Sequence, residues 1–100
     1  MFVNLTPHAI KLPEITIEPS GTVARCSEFT VPQSIVDGVS IVKKTYGDVT
    51  GVPDPVDGTI YIVSMLVRTT LGSRKDLASP GDLVRDDKGN IVGSLNLVVN

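Results

Sequence analysis

Polar and apolar residues alternate in short runs along this chain, and Gly, Pro and Asp punctuate the runs. In Glu14-Ile15-Thr16-Ile17-Glu18 the alternation is strict, which is the period of a half-buried strand. Pro19-Ser20-Gly21 then marks a turn, and Thr22–Cys26 is expected to run back as the second strand of a hairpin. Phe2–Leu5 reads as a first strand broken by Thr6-Pro7, and Ala9–Leu12 as a further extended segment. Ser27–Gln33 is weakly patterned and leaves room for a short edge strand. Asp37-Gly38 is a strong hairpin turn between Ser34-Ile35-Val36 and Val39–Val42, with Tyr46-Gly47 closing the second run. Pro53, Pro55 and Gly58 argue against any regular element between Thr50 and Gly58.

Thr59–Val63 reads as a buried strand. After it, Val63, Leu66, Val67, Thr70 and Leu71 follow helical spacing, and Gly72 can end a helix. A short helix over Met65–Leu71 is expected, N-capped by the Ser64 hydroxyl. The alternative keeps Thr59–Thr69 as one strand. Leu83–Asp86 and Ile91-Val92 flank Asp87-Lys88-Gly89-Asn90 as a hairpin, and Leu95–Val99 forms a last strand. The expected architecture is mainly β, a small antiparallel barrel or sandwich with one short helix, in a single domain over residues 1–100.

Composition supports this. Val, Ile and Thr make up about a third of the chain, and β-branched side chains suit pleated sheets better than helices. The net charge is −2 and the basic residues are dispersed. A basic stripe, the usual footprint of nucleic-acid binding, is missing, so nucleic acid is not the expected partner. Cys26 is the only cysteine, which excludes an intrachain disulfide and a cysteine zinc site; the cytoplasm is the simplest compartment. The apolar run Ile60–Val67 is too short to cross a membrane.

Candidate chemistry is sparse, and no cofactor or metal is implied. His8, the only histidine, could act as a general base or contact a ligand, but no nucleophile elbow accompanies it. Ser20-Gly21-Thr22 could cradle a phosphate, although its strand-like neighbours favour an ordinary turn. Arg25, on the same expected face as Val23, needs a partner if it is buried, either an acidic side chain or an anionic ligand. The densest charged stretches, Arg74-Lys75-Asp76-Leu77 and Asp82–Asp86, are solvated ion pairs or a recognition surface.

An ordered set of motifs runs through nearly the whole chain. It comprises Asn4-Leu5-Thr6-Pro7-His8, Glu18-Pro19-Ser20-Gly21-x-Val23-Ala24-Arg25, and Tyr46-Gly47-x-Val49-x-Gly51-x-Pro53. Val63-Ser64, Arg74-x-Asp76-Leu77-x-x-Pro80 and Val84-Arg85-Asp86-x-x-Gly89-x-x-x-Gly93 complete it. In these features the chain resembles a family of small, largely uncharacterised bacteriophage, prophage and bacterial proteins that begin with Asn-Leu-Thr-Pro-His. Many relatives carry a Gly-Cys pair near the end; here Gly93 precedes Ser94, so thiol chemistry is not expected there.

The resemblance implies recurrent polar positions at Thr6, His8, Arg25, Ser64, Arg74, Asp76, Arg85 and Asp86. By analogy with phage proteins of this size, it points to a homo-oligomeric binding protein that sequesters an anionic, nucleotide-derived signal. In that reading Arg25, Arg74 and Arg85 hold phosphates, and Thr6, His8, Ser64 and Asp76 add polar specificity. Two alternatives stand beside it: a protein-interaction or structural accessory module, and a small nucleotide hydrolase using His8.

Overall fold

The computed structural model describes residues 1–100. The chain is mainly β with one short helix. The strands are β1 (Phe2–Asn4), β2 (Ile10–Lys11), β3 (Thr16–Ile17), β4 (Arg25–Val36), β5 (Val39–Thr50) and β6 (Ile60–Ile62). The helix α1 (Met65–Thr70) follows, then β7 (Leu77–Pro80), β8 (Leu83–Arg85), β9 (Ile91–Ser94) and β10 (Leu97–Val99).

The central sheet has the order β1-β6-β7-β10 and is mixed, not antiparallel as expected. β1 and β7 both run parallel to β6, and only β10 is antiparallel to its neighbour. The reason lies in α1, which carries the chain from β6 across the sheet and returns it in the same direction for β7. The remaining strands form three separate two-stranded pairs, so no barrel closes.

The sheet is buried on both faces. Tyr61, Val63 and Leu77 pack with Leu5, Ala24 and Val67 of α1 in one cluster. Ile62 and Ala78 alternate to the opposite face and are buried as well. Such strands read as short continuous apolar runs.

Ser64 N-caps α1, its hydroxyl accepting from the Val67 N–H at 3.2 Å. At the other end the Asn100 amide lies 2.9–3.2 Å from the carbonyls of Arg68, Leu71 and Arg74. Backbone carbonyls left open at the helix end thus find a donor from the far end of the chain.

Two expected features move. Thr16–Ile17 pairs with Ile10–Lys11, not with Thr22–Cys26. Leu12 N–H donates to the Ile15 carbonyl, so the chain turns at Pro13-Glu14, before the alternating run instead of after it. The segment beyond Pro19 is held instead by the β1 region, through Ser20 N–H to the Asn4 carbonyl and Ala24 N–H to the Leu5 carbonyl.

The second change concerns Ser27–Gln33, which belongs to a twelve-residue strand. With β5, which continues past Tyr46-Gly47 to Thr50, it forms one long hairpin. Asp37 (φ 50°) and Gly38 (φ 78°) make its turn, where two consecutive positive φ values match the twist of the strands.

This hairpin is an arm. Every residue from Ser27 to Tyr46 is exposed. The Cα radius of gyration is 16.2 Å, against about 13 Å for a rounded domain of this length. At its root Gly51 (φ 85°) lies so close to Val23 that a Cβ would stand 2.6 Å from the Val23 carbonyl oxygen.

Candidate interaction arm and the polar sites

The polar motifs singled out in the sequence mostly serve the scaffold. Asn4 is buried, and its side chain fastens the loop that follows. Its Oδ1 accepts from the Thr6 N–H (2.9 Å) and hydroxyl (2.7 Å), while its Nδ2 donates to the carbonyls of His8 (2.8 Å) and Ile17 (3.0 Å). Thr6 is therefore a loop-forming residue, and His8 contributes its backbone while its ring is exposed. No carboxylate or hydroxyl bonds to that ring, as a general base would require for orientation. Nowhere do three or more His, Cys, Asp or Glu side chains cluster as metal ligands.

Arg74 and Asp76 pair with each other. Arg74 Nε and Nη2 meet the two carboxylate oxygens of Asp76 at 2.8 and 2.7 Å, and Nη2 also donates to the Pro53 carbonyl at 3.0 Å. This fork ties the Pro-rich loop to the turn after α1. The Arg74 side-chain hydrogen bonds hold the Asp76 carboxyl below its ordinary range, against the opposing effect of desolvation.

Arg85 donates to the Gly89 carbonyl across the β8–β9 turn (2.9 Å). Asp86 fills that turn by accepting from the backbone N–H groups of Asn90 and Lys88, each at 2.9 Å. The Asn90 N–H is the main reason its carboxyl too lies below the usual range. Arg25, at the root of the arm, forms no ion pair.

These residues do not converge. One cleft of about 410 Å³ lies between β2 and the β8–β9 hairpin, lined mainly by Ile10, Lys11, Pro80, Leu83 and Val92. A second, of about 290 Å³, adjoins it along Lys11–Pro13 and Val84. A third, of about 420 Å³, lies along Pro55–Ile60 with Lys75 and Asp76. Of the residues expected to bind a ligand, only Asp76 lines a cleft, and its carboxylate is engaged by Arg74.

The most distinctive surface is the β4–β5 arm. Partners across the ribbon share a face. Phe29 stands opposite Thr45, Val31 opposite Lys43, Ser34 opposite Ile41, and Val36 opposite Val39. A bulge at Gln33 shifts the parity of β4, so Val31 and Val36 fall on one face when simple alternation would separate them. That face thus carries Phe29, Val31, Val36, Val39 and Ile41. The Phe29 ring lies over Gly47, where an added Cβ would sit 3.0 Å from the ring.

The other face holds Glu28, Thr30 and Lys44. Lys44 Nζ lies 3.0 Å from the Glu28 carboxylate and 2.8 Å from the Thr30 hydroxyl, with Pro32, Ile35, Val42 and Tyr46 interspersed. Sequence reading found the turn of this arm but not its reach. The available signal was β-branched and aromatic residues at period two on both sides of Asp37-Gly38, from Phe29-x-Val31 to Val39-x-Ile41.

No helix is long and apolar enough to cross a membrane. Compared with protein-family models, curated proteins and solved structures, the chain matches none of them.

Proposed function

We propose that this protein is an interaction module that works through protein–protein contact, with the β4–β5 arm as its contacting element. One observation carries the reading: a hairpin of two twelve-residue strands stands clear of the body with large apolar side chains exposed along it. A two-stranded ribbon alone is marginal in water, so an arm of this length with an apolar face calls for a covering surface.

The test is a photo-reactive amino acid placed at Phe29 and, as a control, at Asp87 in the β8–β9 turn. Illumination in cells should give a defined protein adduct from the Phe29 position and none from the control. No adduct from the arm removes the reading.

Capture of an anionic, nucleotide-type ligand is the second reading, and exposed Arg25 is one of the seven basic residues free of an acidic partner that could take part in it. Calorimetry with a panel of cyclic and ADP-ribose-type nucleotides checks it. Saturable binding weakened at least tenfold by Arg25→Ala supports it, and no heat across the panel ends it.

A further inference from the structure

We infer that the occupant of the arm's apolar face is the same face of a second copy of this chain, packed about a two-fold axis. The inference rests on the arm being an interaction element and names its partner. Three observations carry it.

The first is area. The chain exposes 6722 Å². A rounded monomer of 10.6 kDa exposes about 5,500 Å². The surplus is therefore on the order of 1,200 Å², while each partner in a standard stable interface contributes about 800 Å². The chain as a whole thus exposes more excess surface than one side of such an interface needs.

The second is the asymmetry of the ribbon. On the face of Phe29, Val31, Val36, Val39 and Ile41 these five side chains are 40–59% exposed, with Lys43 the one charged residue paired within that stretch. The opposite face also exposes Ile35 (75%), Val42 (47%) and Tyr46 (49%), but its Glu28, Thr30 and Lys44 form an ion pair and a hydroxyl bond that have no counterpart on the first face. Two ribbons meeting on their apolar faces would interdigitate as stacked sheets do, about 10 Å apart.

The third is charge. From Arg25 to Thr50 the arm has three basic residues (Arg25, Lys43, Lys44) and three acidic ones (Glu28, Asp37, Asp48). A neutral arm meets its own copy without net repulsion, whereas a partner selected by charge leaves a bias of one sign. Arg25 also shares its strand parity with Phe29 and Val31. A two-fold axis across the middle of the ribbon directs the acidic tip at Asp37 toward the root of the other arm, where Arg25 has no acidic partner. The contact is isologous and closes on itself, which limits assembly to two chains.

Light scattering on the eluting full-length protein at tens of micromolar tests this. The wild type should show twice the mass of the 10.6 kDa chain. Ile41→Glu, and independently Val31→Glu, should return the mass to one chain, whereas Val42→Glu on the opposite face should leave the dimer intact. Amide exchange in the wild type gives a readout that no folding defect confounds. Protection of the arm should rise with protein concentration while that of β6 and β7 does not.

A single-chain mass at all concentrations, concentration-independent protection of the arm, or a dimer indifferent to both glutamates overturns the inference. A single-chain mass with a foreign protein cross-linked at position 29 removes the dimer and leaves the interaction reading standing. A single-chain mass with no adduct removes both.

Discussion

Asn4 is 1% exposed and is one of the few buried polar residues, and all of its side-chain polar atoms are used. In Asn4→Ala the carbonyls of His8 and Ile17 and the N–H of Thr6 lose their partner. The expected loss is on the order of 2–3 kcal/mol, read from the urea midpoint. The Arg74–Asp76 pair makes a pH-dependent contribution with a fixed sign. The Asp76 carboxyl titrates lower in the folded protein than in the unfolded chain, where it takes the ordinary carboxyl value of 3.8. Its stabilisation is therefore complete above that value and is lost as pH falls through the lower folded one. Asp76→Asn should flatten part of the acid limb of a stability–pH curve and cost about 1 kcal/mol at neutral pH, since the pair is partly solvated. Asp86 shifts in the same direction and should leave a residual slope. At this scale Asn4, Thr6, Ser64, Arg74, Asp76 and Arg85 all make specific bonds within the chain. Which partners they meet depended on the fold: Pro53 is twenty-one residues from Arg74 and no local pattern joins them.

Elements differ in how far they are locally encoded. The helix is, since Ser64 sets its start and Val63, Leu66, Val67 and Thr70 follow helical spacing. The Asp37-Gly38 turn is also local, and here the expected cost of a substitution is small. In Gly38→Ala an added Cβ meets nothing within 4 Å, so only the positive φ is penalised, by about 1 kcal/mol. Gly51→Ala carries the same backbone penalty plus a collision with the Val23 carbonyl. It should therefore destabilise clearly more than Gly38→Ala in parallel chemical denaturation. Equal effects would mean that the root of the arm is looser than its geometry implies. β7 is the element least visible beforehand. Leu77-Ala78-Ser79-Pro80 has little β-branched character and follows a charged turn, yet it lies in the middle of the sheet. Ser79, on the face that α1 covers, fits there because its hydroxyl takes a bond from Arg68 Nε at 2.8 Å.

At the scale of the whole molecule the balance of buried and exposed surface dominates. Only 12 of 100 residues are buried, all of them in the body. A body this small leaves little free energy to hold an isolated ribbon straight. If arm packing and folding are linked through a dimer, the melting temperature rises with protein concentration, because mass action favours the associated state. Scanning calorimetry over a hundredfold concentration range should show that rise in the wild type and lose it in Ile41→Glu. The polar residues, by contrast, are spread around the body as braces.

The sequence by itself determined what depends on neighbouring residues: the β-rich character, the turns at Asp37-Gly38 and around Gly89, the buried run Ile60–Ile62, and the capped helix after Ser64. These follow from local sterics, periodicity and side-chain-to-backbone bonds within a few residues. Only the tertiary structure decided the rest. It put β7 between β6 and β10, ran β1 parallel to β6, and paired Thr16–Ile17 backward with Ile10–Lys11. It also left Arg25–Thr50 standing as an arm. Strand pairing joins residues far apart in the chain, and an alternating run fits any edge that presents the matching register. Which edge it takes, or whether it takes none and stays exposed, is set by what the rest of the chain has already covered.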